Sequence, residues 1–471
     1  MADMSLIKQT ATALVARLKD GEVSPHDLLD ALEARIDDVD GKVNALPTLC
    51  FERARAHADR LLKKPVGDRG LLAGMPVPIK DLADVQGVRS TCGSLIFADT
   101  VPDVSDVLVT HLEAEGSIVY AKSNTPEFGA GANTFNEVFG RTLNPWNTSR
   151  SAAGSSGGAA VALATGTAWL AHGSDMGGSL RNPASFNNIC GMRPSPGRVA
   201  TSRFSQVDGN LGLEGPMARN VEDLALLFDA MCGEEPGDPV SKPRPQVSFL
   251  DQARSGWKPK RVAFSRDLGI TPVDPEVAEI VEAAARRFEE AGVIVEDAQP
   301  DLSETHECFH VLRALSFAIS MKPLLDAHRD KLKPEVIWNI EQGLALSADD
   351  VARAEHQRAA MFQRGLEFFN TYDLLLCPAT IVSPYPVEHR FVEECDGHKF
   401  GNYVEWLGIA YAFTNICAPA LSIPAGFTAE DLPVGIQIVG RPGCDGQALA
   451  GGKLLQDILG YHKLLPIDPR V

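Results

Sequence analysis

The run AGSSGGAAVALATGTAWLAHGSDMGGSLRNPA, from Ala153 to Ala184, restricts the fold more than any other part of the chain. A glycine cluster at each end carries a serine, Ser155 and Ser179, and the residues between are small and packable. The pattern predicts two tight backbone turns brought together. Glycine reaches backbone angles that other residues adopt only with strain, and it lets a ligand approach the main chain. Such a turn can expose a hydroxyl and aim several N–H groups at one point. An activated nucleophile and its oxyanion hole need that arrangement.

The rest of the chain supplies a frame for those turns. Residues 5–20 read as a helix. Ser24 is a good N-cap and Pro25 a good first helical residue, opening a helix to Asp37 with Leu28, Leu29, Leu32 and Ile36 on one face. A third helix covers Phe51 to Leu62, so residues 1–65 form a helical layer. Gly74–Asp81 reads as a strand, and alternation sets Val77, Ile79 and Asp81 on one face, with Pro78 and Lys80 on the other. A helix over 106–116 leads into a strand over 117–122. The run from Gly215 to Gly233 reads as one helix, and 235–247 as a Pro-rich loop. Strands at 260–264 and 293–295 flank a helix over 277–291. With further strands at 373–378, 420–424 and 433–440, this predicts a mainly parallel or mixed sheet covered by helices. Helices are also expected over 303–330 and 347–370.

Composition excludes several classes. The chain has 471 residues, 44% hydrophobic and 23% charged, which is enough for a large core. A net charge of −18 without any Lys/Arg block argues against nucleic acid as a partner. The N-terminal segment lacks the apolar core of a signal peptide, and no run approaches 18 apolar residues, so no membrane partner is expected. Nine scattered cysteines without a CxxC pair suit a reducing cytoplasm.

Five segments carry a family resemblance: PVPIKDL at 76–82, GSSGG at 154–158, GSDMGGSLRNPA at 173–184, GPMARNVEDLALL at 215–227, and ALSIPAGF with LPVGIQIVGRP near the C-terminus. In that order, they resemble the amidase signature family of Ser–cis-Ser–Lys amide hydrolases. The resemblance implies an α/β fold, with a central mixed β-sheet covered on both sides by α-helices, in one domain over 1–471. It implies hydrolysis of a carboxylic amide to a carboxylate and ammonia or an amine. Ser179 matches the acyl nucleophile, Ser155 the bridging serine after a cis peptide with Gly154, and Lys80 the base. The N–H groups of Met176, Gly177, Gly178 and Ser179 match the oxyanion hole. Gly129, Ser155 and Met176 match the substrate pocket, and Ser174 matches a support of the Lys–Ser network. Asp175 and Arg181 read as an ion pair holding the turn, and His172 as a packing residue.

These residue types suit the chemistry. A serine hydroxyl barely ionises at neutral pH and needs a base. Lysine becomes one only when desolvation disfavours its ammonium form. No cofactor or metal is implied, and the expected partner is a small-molecule amide; a homodimer is an open expectation. Pocket walls are expected from 129–140, 303–345 and 380–410. One motif points elsewhere: His306, Glu307 and His310 match H-E-x-x-H, the zinc metallopeptidase pattern. Ser303 reads as the N-cap of that helix, which would leave His306 exposed in the first turn. A third reading is a glutamyl-tRNA amidotransferase A-type subunit, although PSPGRVATSRF at 194–204 lacks that subunit's KPTYGRVSR-like wording.

Overall fold

The computed structural model describes residues 2–201 and 211–470; residues 202–204 of the PSPGRVATSRF run lie outside them. The strands used below are β1 (Thr48–Leu49), β2 (Pro76–Lys80), β3 (Ile118–Ser123), β4 (Leu170–Asp175), β5 (Cys190–Arg193) and β6 (Leu213–Ala218). They continue with β7 (Arg261–Phe264), β8 (Ile294–Asp297), β9 (Leu374–Pro378), β10 (Ala420–Phe427) and β11 (Pro433–Gly440). Eight of them form one sheet in the order β8-β7-β9-β11-β10-β5-β6-β4, and β1-β3-β2 form a second, smaller sheet.

The large sheet is mixed, as expected, but antiparallel pairs dominate. Only β8–β7 and β7–β9 run parallel. The tight turn from Phe427 to Pro433 makes β10 and β11 a hairpin, and a short connection forces antiparallel pairing. Side-chain alternation divides the work of β11. Gln437 accepts from Arg181 on one face. On the other, Ile438 lies under the helix Asp445–Leu459, close to Gly451 and Gly452. That helix was not expected from the sequence, nor were Pro334–Leu344 and Gly408–Asn415.

The helical layer forms with the expected caps. Ser24 and Asp27 complete a capping box on the helix Pro25–Val39, with Pro25 at its start. The first helix begins later than expected, at Ala11, because Thr10 caps it by accepting from Ala13 N–H. The run from Gly215 to Gly233 also divides. Leu213–Ala218 is β6, paired antiparallel with β4, and Asn220 caps a new helix, Val221–Met231, by accepting from Asp223 N–H. A polar cap inside an apolar run marks the boundary.

The helix Thr305–His328 is long and apolar enough to span a membrane by composition, although the sequence shows no unbroken run of that length. It packs against Pro334–Leu344, Ala348–Phe368 and Gly408–Asn415, with Cys308, Phe309, Leu312 and Phe317 buried.

Candidate active site

The central run folds as the turn Gly154–Ser156, the helix Gly157–Thr165, strand β4, and a second turn leading into the short helix Arg181–Phe186. Ser156 N–H donates to Ser179 O at 3.2 Å, which ties the two turns together. The Gly154–Ser155 peptide is cis.

Lys80 ends β2 and is fully buried. Its Nζ donates to Ser155 Oγ at 2.7 Å, Ser156 Oγ at 2.8 Å and Ser174 Oγ at 3.0 Å. Its chain neighbour Asp81 points elsewhere and accepts from Lys122 Nζ at 3.0 Å. The alternation read from the sequence therefore separates the amine from the nearest carboxylate. Ser156 was missed; its only signal was the doubled serine of GSSGG.

His172, expected merely to pack, has a defined polar role. Nδ1 accepts from Lys80 N–H at 3.2 Å, so the ring proton sits on Nε2 and faces Glu214 Oε2 at 2.8 Å. This contact fixes the backbone that carries the Lys80 side chain.

Asp175 organises the second turn. Its carboxylate accepts from Gly178 N–H at 3.0 Å and Leu180 N–H at 3.1 Å. Arg181 forks onto it through Nε at 3.1 Å and Nη2 at 2.9 Å. Burial alone would raise this carboxyl, but Arg181, Arg193 and the Leu180 N–H outweigh burial and hold it at about 2. Arg181 also donates to Ala410 O and Gln437 Oε1, each at 2.7 Å. Arg193, which the sequence reading missed, donates to Asp175 O at 2.6 Å.

The contact to Asp175 involves one of the four N–H groups expected in the oxyanion hole. Gly178 N–H is already engaged, whereas the N–H groups of Met176, Gly177 and Ser179 hydrogen-bond to none of the described residues. Gly178 instead shapes the turn, with φ at +114°. A Cβ there would lie 2.6 Å from Asn182 Oδ1 and 2.7 Å from Ala410 Cβ. Gly178→Ala is therefore expected to lower kcat/KM for any amide the enzyme accepts by about 10²-fold, comparable to losing an oxyanion donor. Steady-state kinetics within threefold of wild type would show that the turn tolerates the methyl group.

A cavity of about 540 Å³ opens over Ser155, Ser174 and Ser179. Leu82, Phe128, Gly129, Met176, Phe317 and Ile319 supply apolar wall. A Cβ on Gly129 would approach Ser155 Oγ to 3.3 Å. Of the expected wall segments, only Gly129 and residues 313–321 contribute among the described residues; 380–410 does not, and Gly212–Glu214 was missed.

The H-E-x-x-H residues do not converge. The helix N-cap is Glu304, not Ser303, and His306 is half-buried. Its Nδ1 meets Tyr411 OH at 2.5 Å and its Nε2 meets Ile270 O at 2.8 Å. Glu307 pairs with Arg353 at 2.6 Å. Burial lowers His310 to about 4, and its Nε2 has no hydrogen-bond partner among the described residues. Among the described residues, no group of three His, Cys, Asp or Glu side chains is placed to hold a metal.

A family model described as Amidase matches residues 27–449. The acylamidase of Rhodococcus erythropolis is 32% identical and aligns over 100% of both chains. The A-type subunit of the glutamyl-tRNA(Gln) amidotransferase from Alkaliphilus metalliredigens (strain QYMF) is 31% identical, covering 93% of this chain and 94% of that one. Among solved structures, a bacterial aryl acylamidase of the amidase signature family superposes with a TM-score of 0.89 at 27% identity, covering 98% of this chain and 99% of that one. A 6-aminohexanoate cyclic dimer hydrolase superposes with a TM-score of 0.87 at 25% identity, with the same coverage. The chain belongs to the amidase signature family.

Proposed function

We propose that this amide hydrolase works through an acyl-enzyme on Ser179, with Ser155 as proton relay and Lys80 as base. One observation carries the reading: the fully buried Lys80 Nζ lies 2.7 Å from Ser155 Oγ, within reach of its proton, beneath the cavity that Ser179 lines. Burial favours the uncharged amine. Ser179 Oγ attacks the amide carbon while its proton passes through Ser155 Oγ to Lys80 Nζ. The carbonyl electron pair moves onto oxygen, where the N–H groups of Met176, Gly177 and Ser179 receive it. The tetrahedral intermediate collapses, the relay runs in reverse to protonate the departing nitrogen, and the C–N bond breaks. Water repeats the cycle on the ester and frees the carboxylate. Side chains and water balance every step.

The substrate is a small amide, and the protein is read as a stand-alone enzyme. Alignment of the R. erythropolis acylamidase over its full length supports this. The amidotransferase relatives favour a second reading, in which partner subunits are needed. We also read residues 1–471 as one domain, because β7–β9 join the same sheet as β4–β6 across the 235–247 loop. Nine cysteines scattered without a CxxC pair suit a cytoplasmic setting.

The isolated chain, assayed on a panel of aliphatic and aryl amides, is expected to release carboxylate without any partner. A chelator should leave that activity unchanged. A fluorophosphonate probe should add its mass to the peptide containing Ser179. Activity only with partner subunits would favour the second reading. Chelator-sensitive activity with stoichiometric zinc, or an adduct elsewhere, would overturn the serine mechanism.

A further inference from the structure

Arg313 lies on the wall of the catalytic cavity, only 8% exposed, and its charge has no opposite partner among the described residues. Nη2 donates to Tyr403 OH at 2.9 Å and Nη1 to the Met176 sulfur at 3.1 Å. Phe317 lies against the guanidinium at 4.5 Å. Nε is buried and has no hydrogen-bond partner among the described residues. An arginine has five N–H donors, and these contacts engage only two of them, one through a weak sulfur acceptor. Burying a charge without a counter-charge is costly. The other buried arginines of the site, Arg181 and Arg193, both face Asp175. Arg313 also shares a wall with a second cavity of about 110 Å³, whose lining includes His310, Trp338 and Asn339 but no carboxylate.

We propose that Arg313 is a specificity-determining residue that pairs with a carboxylate carried by the amide substrate. The planar guanidinium matches a carboxylate in a two-bond fork. Tyr403 and Phe317 fix its plane, and the Met176 contact links it to the turn that receives the oxyanion. Leu82, Phe128, Phe317 and Ile319 line the same cavity and suit a methylene chain, while Asp175 and Glu214 are its carboxylates. The favoured substrates are thus monoamides of dicarboxylic acids, or amides of amino acids, whose carboxylate lies away from the scissile bond. This inference rests on amide hydrolysis at Ser179 and extends it to substrate class.

The test compares monoamides of four- to eight-carbon dicarboxylic acids with uncharged amides of equal length that end in an isopropyl group. The wild-type enzyme is expected to prefer the best carboxylated member by about 10²-fold in kcat/KM. Arg313→Met should remove that preference, lowering kcat/KM for the carboxylated series at least tenfold more than for the uncharged series; Arg313→Lys should retain part of it. Equal loss on both series, or no preference in the wild type, would overturn the assignment while leaving hydrolysis at Ser179 intact. If neither series turns over, binding decides. Ser179→Ala protein should bind a carboxylated member at least tenfold more tightly than its isopropyl counterpart, and adding Arg313→Met should abolish the difference. Equal binding would overturn the proposal.

Discussion

Ser179→Ala is expected to lower kcat by about 10⁴-fold or more, the scale seen when a serine hydrolase loses its nucleophile. The side chain half-faces the cavity, and its hydroxyl hydrogen-bonds to none of the described residues. Removing it should therefore disturb little else, and thermal stability should remain near that of the wild type. Ser155→Ala should retain the nucleophile but interrupt proton transfer, a loss of about 10²- to 10⁴-fold. Lys80→Ala removes the proton acceptor. The sign of its pH effect follows from its role. The neutral amine is the active form, so wild-type activity should fall as pH drops and Nζ takes up a proton. The Lys80→Ala enzyme should lose that acid limb along with most of its rate. Retained turnover in Ser179→Ala would refute the nucleophile. An unchanged acid limb in Lys80→Ala would refute the base.

The second large effect concerns stability. Arg181→Met should cost about 3–5 kcal/mol, because it leaves the buried Asp175 carboxylate facing Arg193 alone at 3.6 Å. It also strands the acceptors Ala410 O and Gln437 Oε1. Urea unfolding followed by fluorescence would measure the loss, and a change under about 1 kcal/mol would show that the pair is dispensable. The pH consequence has a definite direction. Asp175 is held at about 2 against an ordinary value of 3.8. A depressed carboxyl contributes stability above its unfolded value, and that contribution is lost as pH falls through the folded one. Roughly 2 kcal/mol should therefore disappear between about pH 4 and pH 2. Asp175→Asn should flatten that part of the acid-unfolding curve.

The sequence revealed the serine turns because glycine and hydroxyl spacing is local. The same holds for Ser24 with Pro25 and for the alternation that separates Lys80 from Asp81. Contacts made across long separations were less legible. His172 and Lys80 meet 92 residues apart, and no spacing rule identifies such a pair. Arg193 reaches Asp175 only through the β5–β6–β4 order. Gly178 illustrates a subtler limit: its turn was readable, but not that Asp175 takes its N–H. Strand β6 was hidden because LEGPMA is buried along its whole length and shows no polar alternation. Arg313 had no motif at all; its significance comes from what does not surround it.

The strand order also affects how the enzyme must be made. The β10–β11 hairpin sits between β9 and β5, so it alone joins the β7–β9 edge to the β4–β6 edge. Gln437, which accepts from Arg181 behind the Ser179 turn, lies on that hairpin. During synthesis, Lys80, Ser155 and Ser179 emerge from the ribosome long before the segment that braces them. A nascent chain therefore carries these three side chains without the support of the finished sheet. A chain that ends before residue 420 therefore lacks both Gln437 and the hairpin that lies between β9 and β5.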